Sequence, residues 1–231
     1  VPIFARSFPN ARIVPQAGDD ANLAALVQHA DLDYQVAIGS LPGYFRASLS
    51  DFPQHEGYLH ADPARVAYWK ERLSALGCGY KVGLSWFGGV ASTHRDARST
   101  DLEQWLPVLA QPSCHFVSLQ YGNARNELEE MTRTQGVTIH EWREAIDDYD
   151  ETAALVQALD LVVSVQTAIV HLSGAIGKSV WVMVPAVAEW RYLADGTAMP
   201  WYPSVRMFRQ RQPGAWADTL ALVATELAAL V

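Results

Sequence analysis

The stretch LVVSVQTAIVHLSGAIGKSVWVMVP, residues 161–185, contains two apolar runs rich in β-branched residues, with a helical pattern between them. Neither run alternates regularly between polar and apolar residues, which is typical of strands that are covered on both faces. A buried strand, a helix and a second buried strand, in this order, are typical of a parallel pair joined by a crossover helix. The stretch therefore predicts an α/β domain with a parallel sheet.

The same succession of strands and helices continues on both sides of this stretch. Further strands are predicted at residues 81–86, 115–120, 137–140 and 205–208. Amphipathic helices are predicted at residues 101–110, 123–135, 150–159 and 214–230. We therefore predict a doubly wound, Rossmann-like parallel sheet that occupies residues 77–231, with helices on both of its faces.

The first part of the chain, residues 1–76, predicts a different organisation. Short strands are predicted at residues 11–15 and 34–40, on either side of a helical pattern at residues 21–30. We interpret this part as a partial N-terminal α/β unit followed by a linker helix. Because the chain begins at Val1 with a stretch typical of the end of a helix, we expect it to be a fragment of a longer protein.

The linker helix has a predicted beginning and a predicted end. Asp62 and Pro63 match the N-cap and first-turn positions of a helix, and Gly77 is typical of a helix end. The preceding residues, 41–62, contain several prolines and glycines, which is typical of a loop that joins two units.

Composition and charge exclude several classes of partner. The formal net charge of −8 over 231 residues argues against a nucleic-acid backbone or an anionic membrane as the main partner. No run reaches the ~18 apolar residues of a membrane span and no signal peptide is recognised, so we expect a cytoplasmic protein. We expect Cys78 and Cys114 to be buried free thiols, and a disulfide between them is the alternative.

The loop after the first strand of the predicted sheet combines glycine with positive charge. Gly88 and Gly89 allow a ligand to approach the backbone closely, and His94, Arg95 and Arg98 follow within a few residues. This pattern predicts a loop that binds a diphosphate. The alternative is an ordinary exposed loop.

Polar residues also end two other strands. Ser118 and Gln120 end the second strand of the sheet, and Gln166 and Thr167 end the fourth. Ligands of doubly wound sheets bind beyond the carboxyl ends of the strands, so we expect these residues at one site.

The helix that follows the fourth strand has features of an anion site. Thr167 is positioned to cap this helix, whose free N–H groups and dipole favour an anion such as phosphate. His171 follows one turn later on the same face. The alternatives are a plain cap for Thr167 and a core histidine, bonded to a neighbouring carbonyl, for His171.

The segment at residues 188–210 is rich in aromatic residues and arginines. It includes Trp190, Arg191, Trp201 and Arg206. Aromatic faces beside arginines suit a nucleobase or sugar ring next to phosphates, and the alternative is a crossover segment packed on the sheet. No cluster with metal-ligand spacing accompanies them, so we predict no metal site.

Six pieces of the sequence carry a resemblance to a known family: VGLSWFGG, the pair Arg98-Ser99, FVSLQYG, DETAALVQALDLVVSVQTAIVHLSGAIGKSVWVMVP, EWRY and PWYPSVRMFRQ. With these, residues 81–210 resemble the C-terminal glycosyltransferase-like domain that follows tetratricopeptide repeats in many bacterial proteins. They resemble more distantly the ADP-heptose heptosyltransferases of lipopolysaccharide synthesis.

The resemblance implies the C-terminal half of a GT-B fold, in which two Rossmann-like domains face each other. It implies a transferase that takes a nucleotide-sugar as donor substrate, without metal or cofactor, and passes the sugar to a protein or glycan acceptor. The donor-binding residues that we predict are Ser85, Trp86, Gly88, Gly89, His94, Arg95, Arg98, Ser118, Gln120, Gln166, Thr167, His171, Trp190, Arg191, Trp201 and Arg206.

Two departures from the family bear on activity. Gln166 replaces the family's aspartate, and an amide bonds sugar hydroxyls without carrying charge. The family's N-terminal domain, which usually supplies the base that activates the acceptor, is incomplete in residues 1–62, so no catalytic residue is assigned. The alternative functions are an inactive nucleotide- or sugar-binding module and a protein-interaction domain. Tetratricopeptide repeats in a longer parent protein are an expected partner.

Overall fold

The structure, a computed structural model, describes residues 2–15, 33–89 and 95–231. Its described strands form one parallel sheet of six, in the order β3-β2-β1-β4-β5-β6. The strands are β1 Tyr80–Ser85, β2 Cys114–Ser118, β3 Ile139–His140, β4 Leu161–Val165, β5 Val180–Val184 and β6 Val205–Arg209. The predicted doubly wound parallel sheet is confirmed.

Helices cover both faces of this sheet. The described α-helices are α1 Pro2–Ser7, α2 Leu41–Phe45, α3 Pro63–Ser74, α4 Arg95–Arg98, α5 Leu106–Leu109, α6 Arg125–Gln135, α7 Arg143–Asp147, α8 Tyr149–Ala158, α9 Ala168–Ala175 and α10 Ala217–Leu230. Short 3-10 turns lie at Ile38–Ser40, Leu49–Asp51, Leu102–Trp105 and Trp190–Tyr192.

The alternating side chains of the central strands explain the two helical layers. In β4, Val162 packs into a core with α3, α7, α8 and α9. Its neighbours Leu161 and Val163 pack into a second core with α5, α6 and α10. Successive side chains of a strand point to opposite faces, so a strand apolar on both faces needs a layer of helices on each side.

The order of the strands reverses at the centre of the sheet. β1 lies between β2 and β4, and Ser85 at the end of β1 is paired with Ser164 of β4. The connections from β1 and from β4 therefore run to opposite sides, which leaves a crevice beyond the carboxyl ends of these two strands.

Both strands predicted in the first part of the chain are wrong. Residues 12–15 and 34–37 form no strand, and residues 38–40 form a 3-10 turn. Tyr34 and Ile38 are 94% and 85% exposed, so their apolar side chains lack the packing that stabilises a strand. The helix predicted at residues 21–30 lies outside the described residues.

The predicted beginning of the linker helix is confirmed. Asp62 Oδ1 accepts the backbone N–H groups of Ala64 and Arg65 at 2.8 and 3.2 Å. The helix ends at Ser74, and Gly77 takes a φ of 96° in the turn that follows. The helix therefore ends three residues before Gly77, the predicted stop.

Helices α1 and α3 pack against α8 of the sheet domain. The guanidinium of Arg6 donates to both carboxylate oxygens of Asp150 at 2.9 and 2.7 Å. Arg65 and the indole N–H of Trp69 both donate to Glu151. Parts of the first 76 residues thus share a core with the sheet. The predicted domain boundary between residues 76 and 77 stays a prediction.

The two cysteines differ in their environment. Both are free thiols, as favoured by the sequence. Cys114 is partly buried, and burial raises the pKa of its thiol. Cys78 is exposed, so the expectation that both are buried is wrong. Among the described helices, none is long and apolar enough to cross a membrane.

Candidate functional site

A cavity of about 1050 Å³ lies beyond the carboxyl ends of β1, β2, β4 and β5. Its walls come from the ends of these strands and the segments that follow them, at the place where the strand order reverses. Ligands of doubly wound sheets bind at such a place. Nine of the predicted site residues line it: Ser85, Gly88, Gly89, Arg98, Gln120, Gln166, Thr167, His171 and Arg191.

The side chain of Gln120 fixes the loop that follows β1. Its Oε1 accepts the backbone N–H groups of Trp86 and Phe87 at 3.0 and 3.1 Å. Its Nε2 donates to the carbonyls of Phe87 and Tyr121 at 2.8 and 3.1 Å. Four backbone bonds occupy this amide, so Gln120 contributes to the cavity by holding its wall.

The loop after β1 passes very close to the end of β4. A Cβ atom added to Gly88 would lie 2.5 Å from Cγ2 of Thr167, which is shorter than any contact between carbon atoms in a folded protein. Gly88 is therefore required by this approach, and Gly89 next to it takes a φ of 89°. The sequence predicted that these glycines let a ligand approach the backbone. The close approach that the structure shows at Gly88 is that of Thr167.

Thr167 occupies the N-cap position of α9, but its side chain does not cap the helix. Its Oγ1 instead lies 3.1 Å from Oγ of Ser164. The prediction of a side-chain cap is therefore wrong, and the hydroxyl of Thr167 bonds to a side chain of β4 instead. The first N–H groups of α9 have no intrahelical acceptor, and Ala168 and Ile169 of this turn line the cavity.

Gln166 is 3% exposed, and its Nε2 has no hydrogen-bond partner among the described residues. A buried amide N–H without an acceptor costs about 1–3 kcal/mol. The side chain lines the cavity directly before the first turn of α9. The end of β4 thus presents hydrogen-bond donors to the cavity and lacks an acceptor for them.

His171 lines the cavity one turn into α9. Burial, assisted by the positive charge of Arg191, lowers the pKa of His171 to about 4. Its Nε2 lies 3.5 Å from the hydroxyl of Tyr192, and its ring also packs against Tyr202. At neutral pH the imidazole is therefore uncharged, and it contributes hydrogen bonding and shape to the cavity wall.

The segment after β5 brings an ion pair to the cavity. Nη1 of Arg191 donates to Oε1 of Glu189 at 2.5 Å, and the guanidinium lies 4.5 Å from the ring centre of Trp190. Glu189 has the only carboxylate among the described residues that line the cavity. The sequence analysis missed Glu189, although the quoted piece EWRY contains it.

Three predicted site residues near the loop after β1 do not line the cavity. Trp86 is fully buried, and its indole N–H donates to Glu127 at 2.9 Å. Ser118 is buried, and its Oγ accepts the backbone N–H of Gln120 at 3.3 Å. The guanidinium of Arg95 lies 5.0 Å from the ring centre of Phe87. His94 lies outside the described residues.

The remaining predicted residues belong to the aromatic segment, and they also lie away from the cavity lining. Trp190 is exposed and packs edge-on against Trp201. Trp201 also packs edge-on against Phe52, at 4.9 Å between ring centres. Arg206 is near the amino end of β6 and donates to Glu226 at 2.7 Å. The contacts of these three residues fit the alternative given above, in which this segment packs against the rest of the protein and does not bind a ligand.

The sequence prediction did not include eleven of the lining residues, most of which have apolar side chains that carry no chemical signal. Their common feature is position, since most of them directly follow a strand end or adjoin a predicted residue. Selecting every residue that directly follows a strand end, whatever its type, would have identified most of them. They are Phe87, Ala97, Leu119, Tyr121, Ala168, Ile169, Pro185, Val187, Ala188, Glu189 and Tyr192.

Comparison with known sequences gives one curated relative. Protein FlbA of Caulobacter vibrioides is 38% identical over 237 residues, which cover 98% of this chain and 39% of that protein. The chain thus spans well under half the length of this relative. No protein-family model matches the chain.

Two solved structures are similar in fold. Escherichia coli ADP-heptose lipopolysaccharide heptosyltransferase II matches with a TM-score of 0.57 and 15% identity, over 80% of this chain and 57% of that one. The glycosyl transferase family 9 protein of Veillonella parvula matches with a TM-score of 0.54 and 8% identity, over 77% and 55% of the two chains. The chain therefore has the fold of the matching part of these glycosyltransferases, as the resemblance predicted.

Proposed function

We propose that this chain is a glycosyltransferase-type domain that binds a nucleotide-sugar donor in the cavity at the carboxyl ends of β1, β2, β4 and β5. The donor's sugar passes to a protein or glycan acceptor. The fold shared with a heptosyltransferase and with a family 9 glycosyl transferase supports the lineage.

The observation that carries the proposal is the unpaired amide of Gln166. Its Nε2 is buried and without an acceptor among the described residues, next to the uncapped first turn of α9. A phosphate oxygen of the donor supplies the missing acceptor, and the helix dipole stabilises its negative charge. Arg98, which also lines the cavity, adds a charge-assisted bond to the same phosphate.

The size and the walls of the cavity fit a ligand larger than phosphate. Its volume of about 1050 Å³ lies at the upper end of the usual range for small-molecule sites. Tyr121 and Val187, from the segments after β2 and β5, line the cavity and are exposed. They offer apolar surface on which a nucleobase or a sugar ring can pack.

Transfer without a metal ion is part of the proposal. Among the described residues, no group of three or more His, Cys, Asp or Glu side chains is placed to hold a metal ion. In the parent protein, tetratricopeptide repeats outside this chain are proposed to present the acceptor. The length of the curated relative leaves room for further domains of this kind.

A second candidate function is nucleotide or sugar binding without transfer. The uncharged Gln166 favours it, because an amide replaces the carboxylate expected from the resemblance at the centre of the site. Binding alone supports both candidates, and release of nucleotide from a sugar donor separates them. A protein-interaction domain, the remaining alternative, requires neither binding nor release.

A thermal-shift screen of this chain against ADP-, UDP-, GDP- and CMP-linked sugars tests the proposal. A ligand at 100 times its Kd stabilises the folded state by about 2.7 kcal/mol, which raises the melting temperature by several degrees. Arg206→Ala is the control variant, because its ion pair with Glu226 lies outside the cavity lining, and it should show the same shift. If no nucleotide or nucleotide-sugar moves the melting temperature at millimolar concentration, the proposal is wrong.

A further inference from the structure

We propose that Glu189 is the catalytic base of this chain, and that its carboxylate accepts the proton of the acceptor hydroxyl that attacks the donor sugar. The inference rests on the proposed function, since it assigns a role within the same cavity. It departs from the expectation that an N-terminal domain supplies the base. A base within this chain allows the transfer step to use the residues of one domain.

The chemistry of the cavity lining singles out Glu189. Among the described lining residues it is the only carboxylate, and residues 90–94 contain none by sequence. The guanidinium groups of Arg98 and Arg191 have no lone pair to accept a proton. Burial raises the pKa of the Tyr192 phenol, which therefore keeps its proton.

Among the described lining residues, His171 is the other side chain that can accept a proton at neutral pH, and its surroundings make it the weaker candidate. Its Nε2 already faces the hydroxyl of Tyr192 at 3.5 Å, and its ring packs against two tyrosines. Burial keeps the imidazole uncharged, so it offers no negative charge to the positive charge that develops on the sugar. The carboxylate of Glu189 accepts a proton and also stabilises that charge.

The contacts of Glu189 orient its carboxylate and leave part of it available. Oε1 accepts from Nη1 of Arg191 at 2.5 Å. Within the described part of the chain, the one hydrogen bond of Oε2 is a long contact of 3.4 Å with the backbone N–H of Arg191. The side chain is 32% exposed, so a bound acceptor can reach Oε2. Arg191 is in turn held against the ring of Trp190.

The segment that carries this ion pair is held in a strained conformation. Leu193 has a φ of 59° and a ψ of 177°, a combination that non-glycine residues rarely adopt. Arg209 at the end of β6 fixes it by donating to the carbonyls of Tyr192, Leu193, Asp195 and Gly196. These bonds hold residues 192–196, which directly follow Glu189 and Arg191 in the chain.

The step is a direct displacement at the anomeric carbon. The acceptor oxygen forms a bond to this carbon while the bond from the carbon to the donor's phosphate oxygen breaks. The electron pair of the broken bond leaves with the nucleotide, and the acceptor's proton moves to the carboxylate of Glu189. With water as acceptor, the same step yields the free sugar and the nucleotide.

Glu189→Gln in the full chain tests the assignment, with the donor that gives the largest thermal shift and water as acceptor. Glutamine keeps the size of the side chain and can still accept the backbone N–H of Arg191, but it cannot take a proton. We expect kcat for nucleotide release to fall about 10²–10⁴-fold, while the Kd of the nucleotide changes less than threefold.

Two comparison variants separate the base from other roles. Glu226→Gln changes a carboxylate outside the cavity lining and should leave kcat unchanged. His171→Asn should lower kcat less than Glu189→Gln does. The assignment is overturned if Glu189→Gln keeps its kcat, if His171→Asn causes the larger loss, or if the wild-type chain binds nucleotide but releases none from any donor. In these three outcomes nucleotide binding persists. The first two contradict only the role of Glu189, whereas the third also favours nucleotide or sugar binding without transfer over the proposed function.

Discussion

Gly88 and Thr167 approach so closely that a Cβ atom on Gly88 would lie 2.5 Å from Cγ2 of Thr167. The contact joins the loop after β1 to the first residues after β4, which are the two segments at the centre of the cavity. Because both segments directly follow buried strands, displacing either of them costs free energy. The size of the side chain at position 88 therefore affects the shape of the cavity where the loop after β1 meets the end of β4.

Gly88→Ala should destabilise the fold, because the added methyl group overpacks this contact. Overpacking of this kind costs about 1–3 kcal/mol. Urea denaturation measures the change in the free energy of unfolding. Gly43→Ala is the matched control, since a Cβ atom there meets nothing within 4 Å, and it should be neutral or slightly stabilising.

Thr167→Ser removes the methyl group that Gly88→Ala would strike. The double variant should therefore recover much of the stability that Gly88→Ala loses, as expected for two residues in direct contact. Simple addition of the two single effects would show that the contact between positions 88 and 167 is not the cause.

Arg98→Ala should weaken nucleotide binding, whereas Arg95→Ala should not. Both arginines were predicted to reach the diphosphate, but only Arg98 lines the cavity, and Arg95 lies over the ring of Phe87. Loss of a charge-assisted hydrogen bond costs about 1.5–3 kcal/mol. Titration calorimetry measures the affinities, and equal affinities for the two variants would remove Arg98 from the proposed site.

Gln166→Met should separate stability from binding. Methionine is similar in size and lacks the buried amide that has no acceptor, so the free energy of unfolding should stay equal or rise by about 1 kcal/mol. Nucleotide affinity should fall at least about fivefold, because the donor to the phosphate is lost. A variant that loses stability and keeps its affinity would place Gln166 outside the binding site.

Gln166→Asp should distinguish a transferase from a binding module. In a transferase, this change should preserve folding and alter donor preference or turnover. In a binding module it should chiefly weaken nucleotide affinity, by about 1 kcal/mol, because it places a second negative charge near the phosphate. Donor turnover and nucleotide affinity are measured together, and no change in either would contradict both roles.

Acid should destabilise the protein through His171. Burial lowers the pKa of His171 to about 4 from an unfolded value of about 6.5. Between these values the unfolded chain binds a proton that the folded chain excludes, so stability falls as the pH drops from about 6.5 to about 4. The loss attributable to this residue is up to about 3 kcal/mol.

Urea denaturation at pH 4–8 measures this dependence. His171→Asn removes the titrating group, so its stability should vary less with pH over that interval. His60→Gln changes a histidine at an exposed position and serves as the control. Identical pH dependence in wild type and in His171→Asn would contradict the assignment of the effect to His171.

The continuous apolar runs of this sequence determined the sheet. β4 and β5 lie at the residues predicted for them, 161–165 and 180–184, because strands of a sheet covered on both faces are apolar along nearly their whole length. The polar residues at the ends of β1, β2 and β4 predicted where the cavity lies. These features depend on short stretches, so a sequence pattern can reveal them.

The tertiary structure decided which of these side chains line the cavity. Gln120 ends its strand as predicted, but four bonds to neighbouring backbone occupy its amide. Arg206 lies near the amino end of β6 and pairs with Glu226, whereas Glu189, which was not among the predicted site residues, lines the cavity. Bonds between residues far apart in the chain decide these outcomes, and a pattern of neighbouring residues contains no information about such partners.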